Sequence, residues 1–176
     1  METSNGAWAL WMTGLPASGK STITAALQAQ LLSRGVHVAV LESDVLRKVF
    51  SSDQPYSSAG REAFYRQMVA LGSVLVRQGV PVIFDATANR RAYRENARTE
   101  IERFLEVYVD VPLEICIARD PKGIYRRAAA GEADNVPGLQ DTYEPPESPD
   151  LIVHGDDPGA DARRIVEKLA SKGYVK

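Results

Sequence analysis

An eight-residue stretch near the start of the chain has the composition and spacing of a phosphate-binding loop. Residues 14–21 read G-L-P-A-S-G-K-S, which matches the pattern G-x-x-x-x-G-K-[ST] in full. Glycines at these positions let backbone N–H groups converge on phosphate oxygens at the positive end of a helix. In such loops the lysine, here Lys20, reaches the β- and γ-phosphates, and the serine, here Ser21, binds Mg²⁺. The sequence therefore predicts a site for a nucleoside triphosphate, whose contacts are Gly14, Leu15, Pro16, Ala17, Ser18, Gly19, Lys20, Ser21 and Thr22.

The loop alone does not name the reaction. The guanine-reading motif N-K-x-D is missing from the sequence, which argues against a G protein. Mechanical ATPases usually have longer chains and more surface for partners. A kinase that uses ATP and Mg²⁺ to phosphorylate a nucleotide or another small molecule fits the length, and its acceptor site would lie at the carboxyl ends of the strands.

A carboxylate follows the second apolar run, at a point opposite the loop. Residues 36–41 read as a strand, and Asp44 and Arg47 come directly after it. Asp44 is placed to accept the proton of an acceptor hydroxyl or to orient Mg²⁺. Arg47 is placed to bind an anionic acceptor. The alternative for this pair is a helix-capping aspartate beside a solvated arginine.

A second carboxylate ends the third apolar run. Asp85 follows residues 80–84, and we expect it to contact Mg²⁺ or the acceptor, with a simple turn residue as the alternative. Arg61, at the start of a long helical stretch, could reach the acceptor as well. The next helix carries four arginines that we expect on its solvated face, with Arg91 or Arg94 left open as site residues; they are Arg90, Arg91, Arg94 and Arg98.

Short apolar runs alternate with helical patterns along the whole chain. The expected strands are residues 7–13, 36–41, 80–84, 104–109 and 151–153. Apolar residues at helical spacing, such as Ile23, Leu27 and Leu31, lie between them. This alternation predicts an α/β fold, a three-layer sandwich of the P-loop type with a mainly parallel central sheet and helices on both faces.

Composition excludes several classes of protein. Lys plus Arg number 21 against 23 Asp plus Glu, so a formal charge of −2 gives no reason to expect binding to nucleic acid or to an anionic membrane. One cysteine, Cys116, and two histidines cannot form an internal disulfide or a zinc cluster, and Cys116 is expected in the core. No apolar run approaches the ~20 residues of a membrane span, and no secretory signal begins the chain. We expect one cytoplasmic domain over residues 1–176.

Residues 120–149 depart from the alternation. They hold three glycines and five prolines without an apolar repeat. Such a stretch is usually disordered or forms a functional lid, and the interleaved Lys122, Arg126, Arg127 and Tyr143 favour a lid. We refer to residues 120–149 as the lid.

From residue 108 onward the sequence resembles the adenylylsulfate (APS) kinase family. Residues 109–125 read V-D-V-P-L-E-I-C-I-A-R-D-P-K-G-I-Y, similar to the family signature around R-D-P-K-G-L-Y, and residues 130–132 and 143–147 match the rest of its lid. The resemblance implies that ATP and APS react to give ADP and 3′-phospho-APS. It also implies that Arg119 packs on the ATP adenine, that Lys122 contacts the acceptor or the phosphates, and that the protein forms a homodimer.

The resemblance weakens at the acceptor pocket. The family pattern D-G-D-N-x-R becomes residues 42–47, which keep Asp44 and Arg47 but put Val45 in place of asparagine. The pattern R-x-x-N keeps Arg61 and replaces its asparagine by Phe64. The pattern F-I-S-P becomes A-T-A-N at residues 86–89, which puts Ala86 in place of a stacking phenylalanine and Ala88 in place of the serine. The second stacking phenylalanine of the family aligns with Val136.

Three functions therefore stay open at this stage. The first is an APS kinase with a rebuilt acceptor pocket, in which Phe64 or Tyr65 takes over the stacking of the acceptor base. The second is a kinase of the same fold that acts on another nucleotide, nucleoside or small hydroxyl compound. The third is a nucleotide-binding regulatory module without turnover. The acceptor contacts that we predict are Asp44, Arg47, Arg61, Phe64, Asp85 and Lys122, with Asp44 and Lys20 as catalytic residues.

Overall fold

Five parallel strands form the sheet that positions the predicted site. The computed structural model describes residues 6–50 and 57–176. In this part of the chain the strands are β1 (Ala9–Thr13), β2 (Ala39–Glu42), β3 (Val82–Asp85), β4 (Phe104–Val109) and β5 (Leu151–Val153). Their order is β2-β3-β1-β4-β5, and every pairing is parallel. The predicted bounds of the last two strands are confirmed, while the first three begin two or three residues later than predicted.

Seven helices occur in the described part of the chain. They are α1 (Lys20–Leu32), α2 (Ser43–Phe50), α3 (Ser58–Arg77), α4 (Arg91–Glu100), α5 (Leu113–Arg119), α6 (Ile124–Ala129) and α7 (Pro158–Ser171). The sequence patterns predicted α1, α3 and α4, and the spacing i, i+3, i+4, i+7 of Ala162, Ile165, Val166 and Leu169 predicts α7. The short helix α6 lies within the lid, where the sequence has no apolar repeat that would have predicted a helix. A six-residue helix is too short to show a repeat of apolar positions.

The strand β1 is buried on both sides of the sheet, because helices cover both faces. Leu10 and Met12 belong to one apolar cluster with residues of α1 and α7, while Ala9 and Trp11 belong to another with residues of α3 and α4. Side chains of a strand alternate between the two faces, which accounts for this division. A sheet covered on both faces is typical of parallel α/β folds. Cys116 is fully buried in the first cluster, as predicted.

The carboxyl ends of three strands meet at one edge of the sheet. In the strand register Asp85 pairs with Met12 of β1 and with Glu42 of β2. The loop after β1, the start of α2 and the end of β3 therefore converge, as the topology of open α/β sheets requires of a ligand site. None of the described helices is both long and apolar enough for a membrane span.

Candidate functional site

A cleft of about 1180 Å³ opens at this edge of the sheet. The phosphate-binding loop and the start of α1 form one wall, and the start of α2 with part of α3 forms another. The lid contributes residues 120–122, 124, 127 and 133–137. The cleft therefore brings together most of the residues that the sequence singled out, from elements that are far apart in the chain.

The phosphate-binding loop needs its glycines for two different reasons. Gly19 caps α1 with φ 98°, a left-handed conformation that glycine adopts without a steric penalty. Gly14 lies against β4, because a Cβ atom at this position would stand 2.7 Å from the Val109 carbonyl oxygen. Gly14, Leu15 and Ser18 lie behind the cleft rather than on its surface, whereas Pro16, Ala17, Gly19, Lys20, Ser21 and Thr22 line it.

The Lys20 side chain is bound inside the loop by two backbone carbonyl groups. Its Nζ donates to the carbonyl oxygens of Gly14 at 3.0 Å and Leu15 at 2.8 Å, and the residue is 8% exposed. Burial lowers the pKa of Lys20 to about 8, although the nearby Asp85 carboxylate opposes this effect. A phosphate group in the cleft would offer this lysine a stronger acceptor than the two carbonyl groups.

Asp85 lies beside Ser21 at the base of the cleft. Burial raises the pKa of Asp85, while the Lys20 charge and a hydrogen bond with the Ser21 side chain lower it. Its Oδ2 atom is buried and has no hydrogen-bond partner among the described residues. An unpaired buried carboxylate oxygen next to a serine hydroxyl is the oxygen donor set that Mg²⁺ prefers, since Mg²⁺ is usually held by one or two carboxylates together with phosphates. The residues present thus fit the predicted Mg²⁺ ion.

No larger metal cage accompanies this pair. Residues 6–50 and 57–176 contain no group of three or more His, Cys, Asp or Glu side chains that could hold a metal ion by itself. A Mg²⁺ ion at Ser21 and Asp85 would therefore depend on ligands from the bound nucleotide.

Asp44 stands on the opposite wall, in the first turn of α2. Its Oδ2 is 2.6 Å from Nζ of Lys122, which comes from the lid. Both side chains are more than half exposed, and the hydrogen bond to Asp44 is the main cause that raises the pKa of Lys122. The two charges of the pair lie close enough to Lys20 to affect its pKa. The candidate catalytic groups thus occupy one small region.

Arg47 and Phe64 form a single unit on the acceptor side. The Arg47 guanidinium carbon lies 4.0 Å from the centroid of the Phe64 ring, within the range of a cation–π contact. Phe64 is 1% exposed, and its edge also meets the ring of Tyr65. Phe64 and Tyr65 both line the cleft, so stacking of the acceptor base on one of them stays a prediction, although Arg47 covers one face of Phe64. Arg47, which packs on the Phe64 ring, also lines the cleft.

Arg61 turns toward the lid. Its Nη1 atom is 2.5 Å from Oδ2 of Asp141, and its Nη2 atom donates to the carbonyl oxygen of Asn135. The Arg61 side chain is 8% exposed, although the residue still lines the cleft. Its charge is thus balanced by the protein itself, which the sequence did not predict.

The remaining predicted positions lie around the cleft, and three of them, Ala86, Arg119 and Val136, line it. Arg119 ends α5 and lines the cleft, with its Nη2 3.7 Å from Oδ1 of Asp156. Ala86, Ala88 and Val136 are buried, whereas Val45 is half exposed on α2. None of these four positions supplies an aromatic ring to the cleft.

The sequence did not predict two buried polar residues, Arg94 and Asn89, that form hydrogen bonds with the lid. Arg94 was expected on a solvated helix face, with a site role left open, but it is 1% exposed and its Nε donates to Oε1 of Glu106 at 2.7 Å. Asn89 is equally buried and donates to Asp141. The one available signal was the asparagine at position 89, where the resembling family has proline.

Comparisons with known proteins agree with this geometry. Residues 6–154 match the family model described as adenylylsulphate kinase. The adenylyl-sulfate kinase of Microcystis aeruginosa is 38% identical over 168 residues, which are 94% of this chain and 93% of that protein. A probable adenylyl-sulfate kinase of Pseudomonas aeruginosa is 40% identical over 144 residues, which are 82% of this chain and 67% of that protein.

Solved structures show the same similarity. The Mycobacterium tuberculosis APS kinase in complex with AMPPNP and APS superposes with a TM-score of 0.88 and 32% identity, and the match covers 93% of this chain and 98% of that one. A shikimate kinase from Aquifex aeolicus, 17% identical with a TM-score of 0.57, shares the fold.

Proposed function

Because this chain belongs to the adenylylsulphate kinase family, we propose that it transfers the γ-phosphoryl group of ATP to the 3′-hydroxyl of adenylylsulfate. The observation that carries this proposal is the arrangement of the cleft, where Lys20 and Asp85 lie at the loop and Asp44 stands across from them. The solved relative that holds AMPPNP, an ATP analogue, together with APS supports both substrates. The products are ADP and 3′-phosphoadenylylsulfate.

The loop binds the phosphates of ATP. The N-terminus of α1 presents unpaired backbone N–H groups and a positive partial charge toward the cleft. Lys20 leaves the Gly14 and Leu15 carbonyl groups and donates to the phosphates, where it stabilises the charge on the transferring group. Arg119 lines the cleft, and we propose that it packs on the adenine.

Ser21 and Asp85 would hold the Mg²⁺ ion that accompanies ATP. When bound, Mg²⁺ neutralises part of the negative charge that develops on the phosphates. Asp85 must be ionised for this role, and the Ser21 hydrogen bond and the Lys20 charge both favour its ionised form. Its orphaned Oδ2 atom is the reason for assigning it to the metal rather than to the acceptor.

Asp44 positions the acceptor. Its carboxylate is placed to accept a hydrogen bond from the acceptor hydroxyl and then its proton, while the oxygen of that hydroxyl attacks the γ-phosphorus and the bond to the ADP oxygen breaks. Lys122 pairs with Asp44 across the cleft and must give way to the acceptor hydroxyl at that carboxylate. Arg47, fixed on Phe64, contacts the anionic part of the acceptor.

The missing aromatic pair favours a second candidate. Ala86 and Val136 are buried and offer no ring to an acceptor base, although base stacking on a protein ring contributes roughly 1–3 kcal/mol. A kinase of the same fold that acts on another nucleotide, nucleoside or hydroxyl compound would have no need of that pair. The two candidates share every step on the ATP side and differ only in the acceptor.

One assay separates the candidates. ADP release from ATP and Mg²⁺ is measured with APS and, in parallel, with a panel of nucleosides, nucleotides and sugar alcohols. Saturable turnover at micromolar APS supports the first candidate. Turnover on another member of the panel, with no response to APS, supports the second. No turnover with any compound would contradict both. Assembly into a homodimer stays a prediction, and sedimentation in solution would test it.

A further inference from the structure

A partly buried polar cluster joins the lid to the body of the protein, and the side chain of its central residue, Asp141, is 29% exposed. Oδ2 of Asp141 lies 2.5 Å from Nη1 of Arg61 on α3 and accepts from Nδ2 of Asn89 at 3.1 Å. Asn89 is 2% exposed, and Arg61 is 8% exposed at its side chain. Arg61 also donates to the carbonyl oxygen of Asn135, one residue before Val136. One lid carboxylate is thus bound from two separate elements of the protein body.

Lid residues 133–141, which these contacts hold, are also joined to one another by hydrogen bonds. The Val136 carbonyl oxygen accepts from the backbone N–H groups of Leu139, Gln140 and Asp141, and Gly138 donates to the Asp141 carbonyl oxygen at 2.8 Å. The Gln140 side chain binds back to the backbone of Val136 and Ala133. Because the segment 133–141 is tied together in this way, a hold on Asp141 and Asn135 positions all of it.

Asn89 and Arg94 also form hydrogen bonds with the next lid residues, Thr142 and Glu144. Asn89 donates to the Thr142 carbonyl oxygen at 3.0 Å, and its own carbonyl oxygen accepts from the Glu144 N–H at 2.7 Å. Arg94 donates to the Glu144 carbonyl oxygen at 2.7 Å. Asn89 is therefore bonded to three lid residues, Asp141, Thr142 and Glu144. Proline at this position would lack the two bonds that the Asn89 side chain donates.

We propose that Arg61, Asn89 and Asp141 form a latch that fastens lid residues 135–144 to the protein body and thereby holds residues 135–137 at the wall of the cleft. In this arrangement Arg61 is a positioning residue, since its charge is balanced by Asp141 rather than by the acceptor. The latch keeps Asn135 and Val136 at the cleft wall, which gives this side of the pocket a fixed shape. The consequence for acceptor binding rests on the proposed function, but the latch itself does not.

Hydrogen exchange on the full chain without ligand tests the latch directly. We expect the variants Asn89→Ala and Asp141→Asn to exchange the backbone amides of residues 138–144 at least about 10-fold faster than the parent protein, because opening of a segment is opposed by the contacts that fasten it. Glu132→Ala, a change at an exposed lid residue outside the cluster, is the matched control and should leave these rates unchanged. Asp141→Asn keeps the shape of the side chain and guards against a variant that fails to fold.

Steady-state kinetics then distinguish the latch from direct binding of the acceptor by Arg61. A latch predicts that Asp141→Asn raises the acceptor KM several-fold, with little change in kcat or in the affinity for ATP. If Arg61 binds the acceptor directly, Asp141→Asn releases Arg61 and leaves the KM unchanged or lower. That result, or unchanged exchange rates in both variants, would overturn the latch.

The two readouts also keep the latch separate from the reaction. Faster exchange in the variants supports the latch even if APS is not phosphorylated at all, in which case the proposed function fails alone. Normal exchange in variants of an active APS kinase removes the latch and leaves the proposed function intact.

Discussion

The Nζ atom of Lys122 lies 2.6 Å from Oδ2 of Asp44, so a lid side chain rests on the carboxylate that faces the phosphate-binding loop. Both partners are more than half exposed, and pairs of this kind contribute little to stability. We therefore expect the contact to matter for function, because it places a lid cation beside the carboxylate that we assign to the acceptor hydroxyl. If Asp44 binds the acceptor as proposed, the pair would link acceptor binding to the position of the lid.

Removal of the Asp44 carboxylate tests its place in the reaction. We expect Asp44→Ala to lower kcat by more than ~10²-fold, the lower range for loss of a general base. The affinity for ATP, measured by calorimetry, should change little, since the phosphates bind at the loop. Asp134→Asn alters another carboxylate that lines the cleft and serves as the control. Turnover of Asp44→Ala close to that of the parent protein would remove Asp44 from the catalytic step.

The lowered pKa of Lys20 predicts that ATP binding takes up a proton at alkaline pH. In the free protein Lys20 loses its proton near pH 8, because burial disfavours the charged form. Bound phosphates favour that charged form and raise the pKa, so the complex holds more protons than its free components above pH 8. Affinity for ATP should therefore fall as pH rises through 8.

Calorimetry in two buffers of different ionisation enthalpy measures this uptake. The slope of the observed enthalpy against the buffer enthalpy gives the number of protons exchanged, which should rise between pH 7 and 9. Lys20→Arg provides the control, since a guanidinium stays protonated over this range and should abolish the rise. An equal uptake in the arginine variant would assign the proton to another group.

Asp85 should control the requirement for Mg²⁺. Replacement by asparagine keeps the size of the side chain and removes the charge, so we expect Asp85→Asn to raise the Mg²⁺ concentration for half-maximal activity by about 10-fold or more. Because burial raises the pKa of Asp85, protonation competes with the metal, and the parent enzyme should need more Mg²⁺ as the pH falls. Titration of Mg²⁺ at fixed ATP and several pH values checks both effects; in Asp85→Asn the pH dependence should flatten.

The buried pair of Arg94 and Glu106 predicts a large effect on stability. Arg94→Met removes one partner of a buried ion pair and leaves the Ala88 and Glu144 carbonyl groups without their donor. Such changes typically cost about 3–5 kcal/mol in the free energy of unfolding. Arg98→Met, whose side chain is 42% exposed, should cost about 1 kcal/mol or less. Urea denaturation of the two variants measures the difference, and equal midpoints would contradict it.

Local patterns in the sequence were sufficient for the parts of the site that consecutive residues build. The phosphate-binding loop, the position of Asp85 at the end of β3 and the bounds of β4 and β5 all follow from motif and apolar runs. These features depend on residues that are neighbours in the chain, so their chemistry is visible without a fold.

The parts that were missed depend on contacts between distant residues. Asn89 and Asp141 are 52 residues apart, and no periodicity connects them. Arg94 looked solvated because α4 is rich in charged residues, yet Glu106 of β4 makes its burial possible. Phe64 looked like a replacement for a stacking ring, and only the fold shows that Arg47 covers one face of it.

The contact between Arg47 and Phe64 yields the final prediction, which concerns recognition of the acceptor. If Phe64 holds the Arg47 guanidinium in place, Phe64→Leu should raise the acceptor KM by about 2- to 30-fold, the range that corresponds to a cation–π contact of 0.5–2 kcal/mol. Phe64→Tyr should keep the parent KM, because it retains an aromatic face. Arg47→Lys should raise the KM as well, since an ammonium group lacks the planar fork that binds an anion through two hydrogen bonds.

The double variant that combines Arg47→Lys with Phe64→Leu tests whether Phe64 positions Arg47 or only packs in the core. When Phe64 acts through Arg47, the change Phe64→Leu should add little to the KM of Arg47→Lys, because the two residues work as a unit. Val49→Ala, at a position of α2 that is 70% exposed, is the control and should leave the KM unchanged. Fully additive effects, or a normal KM in Phe64→Leu, would mean that Phe64 serves only the core and that Arg47 meets the acceptor without its help.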